Sequence, residues 1–247
     1  MGREVINNGF YDDLGAQWYE ADNHPIALLR AENRARAPWV ADKLVNHFAC
    51  RRCSVLDIGC GAGFLSNALA QKGYRLTGID LSRESLEVAQ AYDRTRSVLY
   101  QPGDACSLPL EDSQFEAVCA MDLLEHVEDP YRVIAEAARV LKPGGLFFFH
   151  TFNRTWLSWL FAIKSLEWFI PNTPRNIHLY RLFIKPSELT AYLDRSGLKV
   201  TEVHGLMPRI DTAFFKLLLR RGVPPQFSFK TISSLSCGYV GFATKDN

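Results

Sequence analysis

Two carboxylates bracket a run of alternating glycines: Asp57 begins Asp57-Ile58-Gly59-Cys60-Gly61-Ala62-Gly63, and Asp80 ends the next apolar stretch. Glycine at every second position removes the side chains that hold a ligand off the backbone, and it admits φ values that other residues resist. A nucleotide-like ligand can therefore lie against bare main chain. The dinucleotide fingerprint G-x-G-x-x-G asks for glycine or alanine at position 64, but Phe64 stands there, which weakens the case for a pyrophosphate. Asp57 suits a ligand with a cationic amino group. Asp80 lies about twenty residues further on, where acidic residues hydrogen-bond a ribose diol in nucleotide-binding α/β folds. Together the two acids describe an adenosine that carries an amino acid. A second cluster, Asp122-Leu123-Leu124-Glu125-His126-Val127, follows a later apolar run. If residues 122–126 form a helical turn, Asp122, Glu125 and His126 share one face at i, i+3 and i+4.

These residues need a scaffold, and the pattern supplies one. From residue 54 onward, short β-rich runs alternate with helical stretches, which predicts a parallel sheet. Strands are expected at 54–58, 75–79, 98–101, 115–121, 146–150, 199–204 and 238–244. Helices are expected at 64–72, after the cap Ser82 with Glu84 in the first turn, and at 131–141 behind Asp129-Pro130. Lys142-Pro143-Gly144-Gly145 stops that last helix, and Lys185-Pro186 opens another that ends at Gly197. The chain reads as a single domain in four parts. Residues 1–50 form an N-terminal helical arm that cannot pack alone and should fold over the core. Residues 51–152 form the cofactor-binding core, 153–186 a lid or membrane-facing insert, and 187–247 the rest of the sheet with an irregular apolar-basic insert at 206–235.

With 247 residues, 47% hydrophobic and 22% charged, the composition is that of an ordinary globular protein. A formal charge of +1 gives no global footprint for nucleic acid, and no such partner is expected. Cys50, Cys53, Cys60, Cys106, Cys119 and Cys237 are scattered, which fits a reducing cytoplasmic compartment. Cys50-Arg51-Arg52-Cys53 has no second pair for zinc and precedes a strand, so it reads as incidental. Met1-Gly2-Arg3-Glu4 lacks the features of a signal peptide, and no apolar run reaches the ~18 residues of a spanning helix. A soluble protein, or one peripheral at the inner face of a membrane, is expected.

Three of the five tryptophans fall in 156–168. Helical periodicity puts Trp156, Trp159, Leu160 and Ile163 on one face, while Leu157, Phe161 and Phe169 point elsewhere. A helix apolar on several sides must be covered by protein, by an apolar ligand or by lipid. Contact of 156–170 with a membrane surface is one such reading, and Phe214-Phe215-Lys216-Leu217-Leu218-Leu219-Arg220-Arg221 invites the same one.

The glycine turn, its paired acids and the Leu-Lys-Pro-Gly-Gly turn resemble the class I S-adenosylmethionine-dependent methyltransferases. The narrower resemblance is to the ubiquinone-biosynthesis O-methyltransferases. It rests on Glu125-His126-Val127 behind Met121, on Thr151-Phe152-Asn153-Arg154 and on Phe183-Ile184-Lys185-Pro186, and it covers about residues 36–190. It implies an α/β, Rossmann-like, seven-stranded, mostly parallel sheet with an antiparallel last strand. It also implies a methyl transfer from S-adenosylmethionine to a phenolic hydroxyl of a catechol-type polyprenyl precursor. Arg36, in Asn33-Arg34-Ala35-Arg36, would contact the cofactor carboxylate, and Asp104 the adenine amino group. The implied cofactor set is Arg36, Asp57, Gly59, Cys60, Gly61, Asp80, Leu81, Asp104, Ala105 and Met121. The family usually has Glu where Asp122 stands, and Gly-Thr-His where Asn176-Ile177-His178 stands, which bears on metal geometry and on substrate.

A neutral phenol of pKa near ~10 is a poor nucleophile, so its proton must be removed or acidified. Two routes are open. His126, with Glu125, acts as the catalytic base, or Asp122, Glu125 and His126 hold a divalent ion, magnesium by the resemblance, that binds both oxygens. A methyltransferase for a soluble phenol or amine, and a non-catalytic cofactor-binding scaffold, are the rival readings.

Overall fold

The computed structural model describes residues 4–49, 52–220 and 222–246. Cys50 and Arg51 of the C-x-x-C, the start of the chain and Arg221 of the basic insert lie outside them. The sheet runs β3-β2-β1-β4-β5-β8-β6-β7. Its members are β1 (Ser54–Ile58), β2 (Arg75–Asp80), β3 (Leu99–Pro102), β4 (Phe115–Met121), β5 (Leu141–Phe152), β6 (Leu198–Pro208), β7 (Phe229–Ile232) and β8 (Gly238–Lys245). The first five pair in parallel, and β8 lies antiparallel between β5 and β6.

The sheet is eight-stranded, not seven-stranded as expected. The addition, β7, lies in what the sequence shows as an irregular insert, where a helix at Thr212–Arg220 also forms. β6 continues past the expected residue 204 to Pro208, and Gly205–Pro208 is the stretch that β7 pairs with. A Cβ at Gly205 would stand 1.8 Å from the Ser234 carbonyl oxygen, so the returning chain needs glycine there. Four residues with one buried side chain, Phe229, are too short for a period-two signal.

Alternate residues of the central strands feed opposite faces. Leu56, Ile58, Val118, Ala120, Phe147 and Phe149 join the core under the helices Pro130–Val140 and Pro186–Arg195. Val55, Ala117, Cys119, Met121, Leu146 and Phe148 join the core under Phe64–Ala70 and the arm helix Ile26–Phe48. Such two-sided burial is why these strands read as continuous apolar runs. The arm helix buries Glu32, Arg36, Val40 and Leu44, spaced four apart, so two charged side chains ride its inward stripe.

The lid keeps Trp156 and Trp159 on one face, as expected, and that face points outward. Residues Trp159–Lys164 wind as a π-helix, whose i→i+5 bonding widens the repeat. The inward residues are Ser158, Ala162, Leu166 and Ile170. Among the described residues no helix is long and apolar enough to cross a membrane.

Candidate active site

The order of the strands reverses between β1 and β4, and the carboxyl ends of β1 to β5 open on one crevice, the place where α/β sheets bind ligands. Gly59 and Gly61 at the tip of β1 have φ of 68° and 49°. A Cβ at Gly59 would meet Leu123 at 2.8 Å, and one at Gly61 would meet the Trp18 ring at 3.0 Å. Asp80 at the tip of β2 ties the turn down. Its Oδ2 accepts from the Gly61 N–H (2.8 Å) and its Oδ1 from the Ser82 N–H (2.9 Å).

All ten residues of the implied cofactor set line one cavity of about 420 Å³. Asp57 is buried there and accepts a 2.6 Å bond from Ser66 Oγ. Burial, aided by the charge of Asp80, pushes its pKa up to about 7, so a cationic ligand group would restore its charge. Asp104, at the end of β3, accepts from the Cys106 N–H at 2.8 Å. Two buried donors on the cavity wall, Trp18 Nε1 and Arg36 Nε, have no hydrogen-bond partner among the described residues. Orphaned donors of this kind are costly unless a ligand completes them. An acid wanting a cation and two donors wanting an acceptor fit the ammonium and carboxylate of S-adenosylmethionine. Trp18 carries no motif and escaped the sequence reading; its only signal was an aromatic residue in the arm.

A second cavity, of about 380 Å³, adjoins the first, and Tyr11, Leu29, Asp122 and His126 line both. Its walls are apolar: Leu28, Phe152, Leu160, Phe169, Leu217 and Phe227 are among them. Glu32, Asp122, His126, His150 and His178 are among its polar groups, with Asp122 and His126 at the shared end.

The expected face of Asp122, Glu125 and His126 does not form. Asp122 has φ 56°, in the left-handed region, and only Leu124–His126 wind, as a 3-10 turn. Glu125 is turned inward, accepts from Thr151 Oγ1 at 2.8 Å and lines neither cavity. Its other oxygen is buried without a partner among the described residues, and burial followed by the charge of Asp122 pushes its pKa up to about 7. His126 does reach both cavities, with Nδ1 3.2 Å from Asn8 Oδ1. Burial, with His178 beside it, lowers its pKa to about 3, so the ring is neutral.

Asp122 belongs to a different group. Arg36 Nη1 and Nη2 donate to its two oxygens at 2.7 and 2.5 Å, and His150 Nδ1 meets Oδ1 as well. Glu32 lies 3.6 Å from the same guanidinium. Burial works against a charge on Asp122, but Arg36 and His150 outweigh it and hold the carboxyl far below its usual range.

Among the described residues, Glu32, Asp122 and His150 are the group whose potential ligand atoms converge, within 4.8 Å of one another. The guanidinium of Arg36 already occupies both oxygens of Asp122 and lies 3.6 Å from Glu32, so this donor set does not fit magnesium. His ligation is unusual for that ion in any case. Neither Glu32 nor His150 carried a signal beyond position: one sits a helical turn before Arg36, the other at the carboxyl end of a strand.

Residues 56–149 match the family described as a methyltransferase domain. Over 199 residues the chain is 39% identical to the ubiquinone biosynthesis O-methyltransferase of Bordetella avium, covering 79% of this chain and 81% of that one. The enzyme of the same name from Pseudomonas fluorescens is 38% identical over 210 residues, 84% of this chain and 88% of its own. Among solved structures, an S-adenosylmethionine-dependent methyltransferase from Methanosarcina mazei superposes with a TM-score of 0.58 at 24% identity, covering 82% of this chain and 97% of that one.

Proposed function

Because this chain belongs to the ubiquinone biosynthesis O-methyltransferase family and is an S-adenosylmethionine-dependent enzyme, we propose that it methylates a phenolic hydroxyl of a catechol-type ring bearing a polyprenyl tail. The observation that carries this reading is the junction of the two cavities. One is built for a zwitterionic nucleoside, the other is apolar over most of its length, and they meet at Tyr11, Asp122 and His126. S-adenosylmethionine supplies a methyl group already activated as a sulfonium.

The chain then has to orient the acceptor, exclude water and handle one proton. Orientation alone contributes several kcal/mol, up to about 7–11 in model reactions. The neutral His126 ring, steadied by Asn8, offers its second nitrogen to the catechol hydroxyl that is not methylated, which helps to orient the ring at the shared end. The apolar walls take the tail and keep water from the reacting atoms. The test is transfer of labelled methyl in detergent to a farnesylated catechol and to its short-chain analogue. A kcat/KM at least tenfold higher for the prenylated ring is expected. Equal values would favour a soluble phenol as the natural acceptor.

The mouth of the acceptor cavity supports a peripheral membrane contact. Phe161 and Trp168 line the cavity yet are 37% and 57% exposed, and Trp156 and Trp159 stand outward beside them. Aromatic side chains at such a rim suit the headgroup boundary, where a lipid tail would enter. The triple variant Trp156→Ala, Trp159→Ala, Phe161→Ala is expected to lose co-sedimentation with anionic liposomes while wild type retains it. Equal, negligible binding by both proteins would remove the membrane from this account.

A further inference from the structure

Resting on the O-methylation reading above, we propose that His150, held by Asp122, is the catalytic base that removes the acceptor proton. The arrangement is a carboxylate-imidazole dyad. Asp122 meets His150 at Nδ1, which fixes the tautomer and leaves Nε2 as the acceptor. Nε2 has no hydrogen-bond partner among the described residues, and His150 lines the acceptor cavity. Nε2 itself lies beside Gly238, where a Cβ would stand 3.1 Å from it. Glycine at that point of β8 leaves the nitrogen room.

The orienting carboxylate is itself fixed. Arg36 grips both oxygens of Asp122 from the arm helix, so the dyad is assembled from β5, the turn after β4 and the arm. Asp122 also lines the cofactor cavity, which places the dyad at the seam between the two cavities.

His126 lacks this support. Its Nδ1 faces an amide oxygen instead of a carboxylate, and burial holds it near 3. For His150, burial also disfavours the charged ring, but the Asp122 charge and hydrogen bond outweigh it and raise its basicity. In the step, the acceptor hydroxyl gives its proton to Nε2. Its oxygen forms the bond to the methyl carbon as the carbon–sulfur bond breaks, with that electron pair left on sulfur. The sulfonium charge disappears, the imidazolium carries the positive charge, and its proton passes to water after release.

Positioned bases contribute about 10²- to 10⁴-fold. The experiment compares wild type, His150→Gln and His126→Gln on an unactivated farnesylated catechol and on a farnesylated nitrocatechol that ionises near neutrality, with cofactor affinity measured for each as a check on folding. His150→Gln is expected to lose about a hundredfold or more in kcat on the unactivated ring but less than tenfold on the acidic one, which needs no base. His126→Gln is expected to lose similar factors on both. Equal losses on both rings for His150→Gln would overturn the assignment, and His150→Asn, which shortens the side chain, should repeat the pattern. If wild type methylates neither ring, the O-methylation reading itself fails and this inference with it.

Discussion

Asp80→Ala is expected to weaken S-adenosylmethionine binding by about a hundredfold or more. The carboxylate already accepts from the Gly61 and Ser82 amides, and its remaining lone pairs face the cavity where a ribose diol would lie. Hydrogen bonds to a charged group contribute about 1.5–3 kcal/mol each, and about 1.4 kcal/mol is a factor of ten. Losing two such bonds to a diol therefore removes two or more powers of ten. The substitution also frees the amide at Gly61, so the turn that cradles the ligand loses its tie. Isothermal calorimetry gives the comparison directly, and an unchanged Kd would take Asp80 out of the cofactor site.

Arg36→Met should destabilise the cofactor-free protein by about 3–5 kcal/mol, the usual cost of removing one partner from a buried ion pair. Arg36 is 5% exposed and stands between Asp122 and Glu32. Without it, two buried acids face each other with only His150 to share. A loss of that size is a large fraction of the roughly 5–15 kcal/mol that holds a domain together. The double variant Arg36→Met, Asp122→Asn removes charge and counter-charge together, keeps a side chain that tolerates the left-handed backbone at 122, and should recover much of the loss in urea unfolding. A single variant as stable as wild type would show that the guanidinium is not what balances these acids.

Those two expectations draw on unequal amounts of sequence. Asp57, Gly59, Gly61 and Asp80 were legible because they lie within one βαβ unit, where strand, turn and second strand fix their spacing with no help from the rest of the chain. The central strands were legible for a similar reason. Each is apolar on both faces, and a run such as Phe147-Phe148-Phe149 can only be buried. β7 was not, because a four-residue edge strand depends on the partner stretch Gly205–Pro208 for its existence.

The proton-handling end of the site behaved in the opposite way. Neighbours in sequence, Asp122, Glu125 and His126, invited a helical face, but Asp122 has a left-handed φ and Glu125 turns inward, while Asp122 and His126 reach the cavities with different partners. Asp122 found its partners in Arg36, 86 positions earlier, and His150, 28 positions later. Which way the tryptophan face of the lid points was likewise settled only by how the lid docks, with Ala162 and Leu166 inward and Trp156 and Trp159 outward. By itself, then, the sequence determined the sheet's core and the kind of cofactor its glycine turn takes, since local spacing and burial carry that information, and its motifs gave the class of reaction through the family they resemble. Only the tertiary structure decided which imidazole has a carboxylate behind it and what neutralises that carboxylate, because both depend on where the arm helix docks against the ends of β4 and β5.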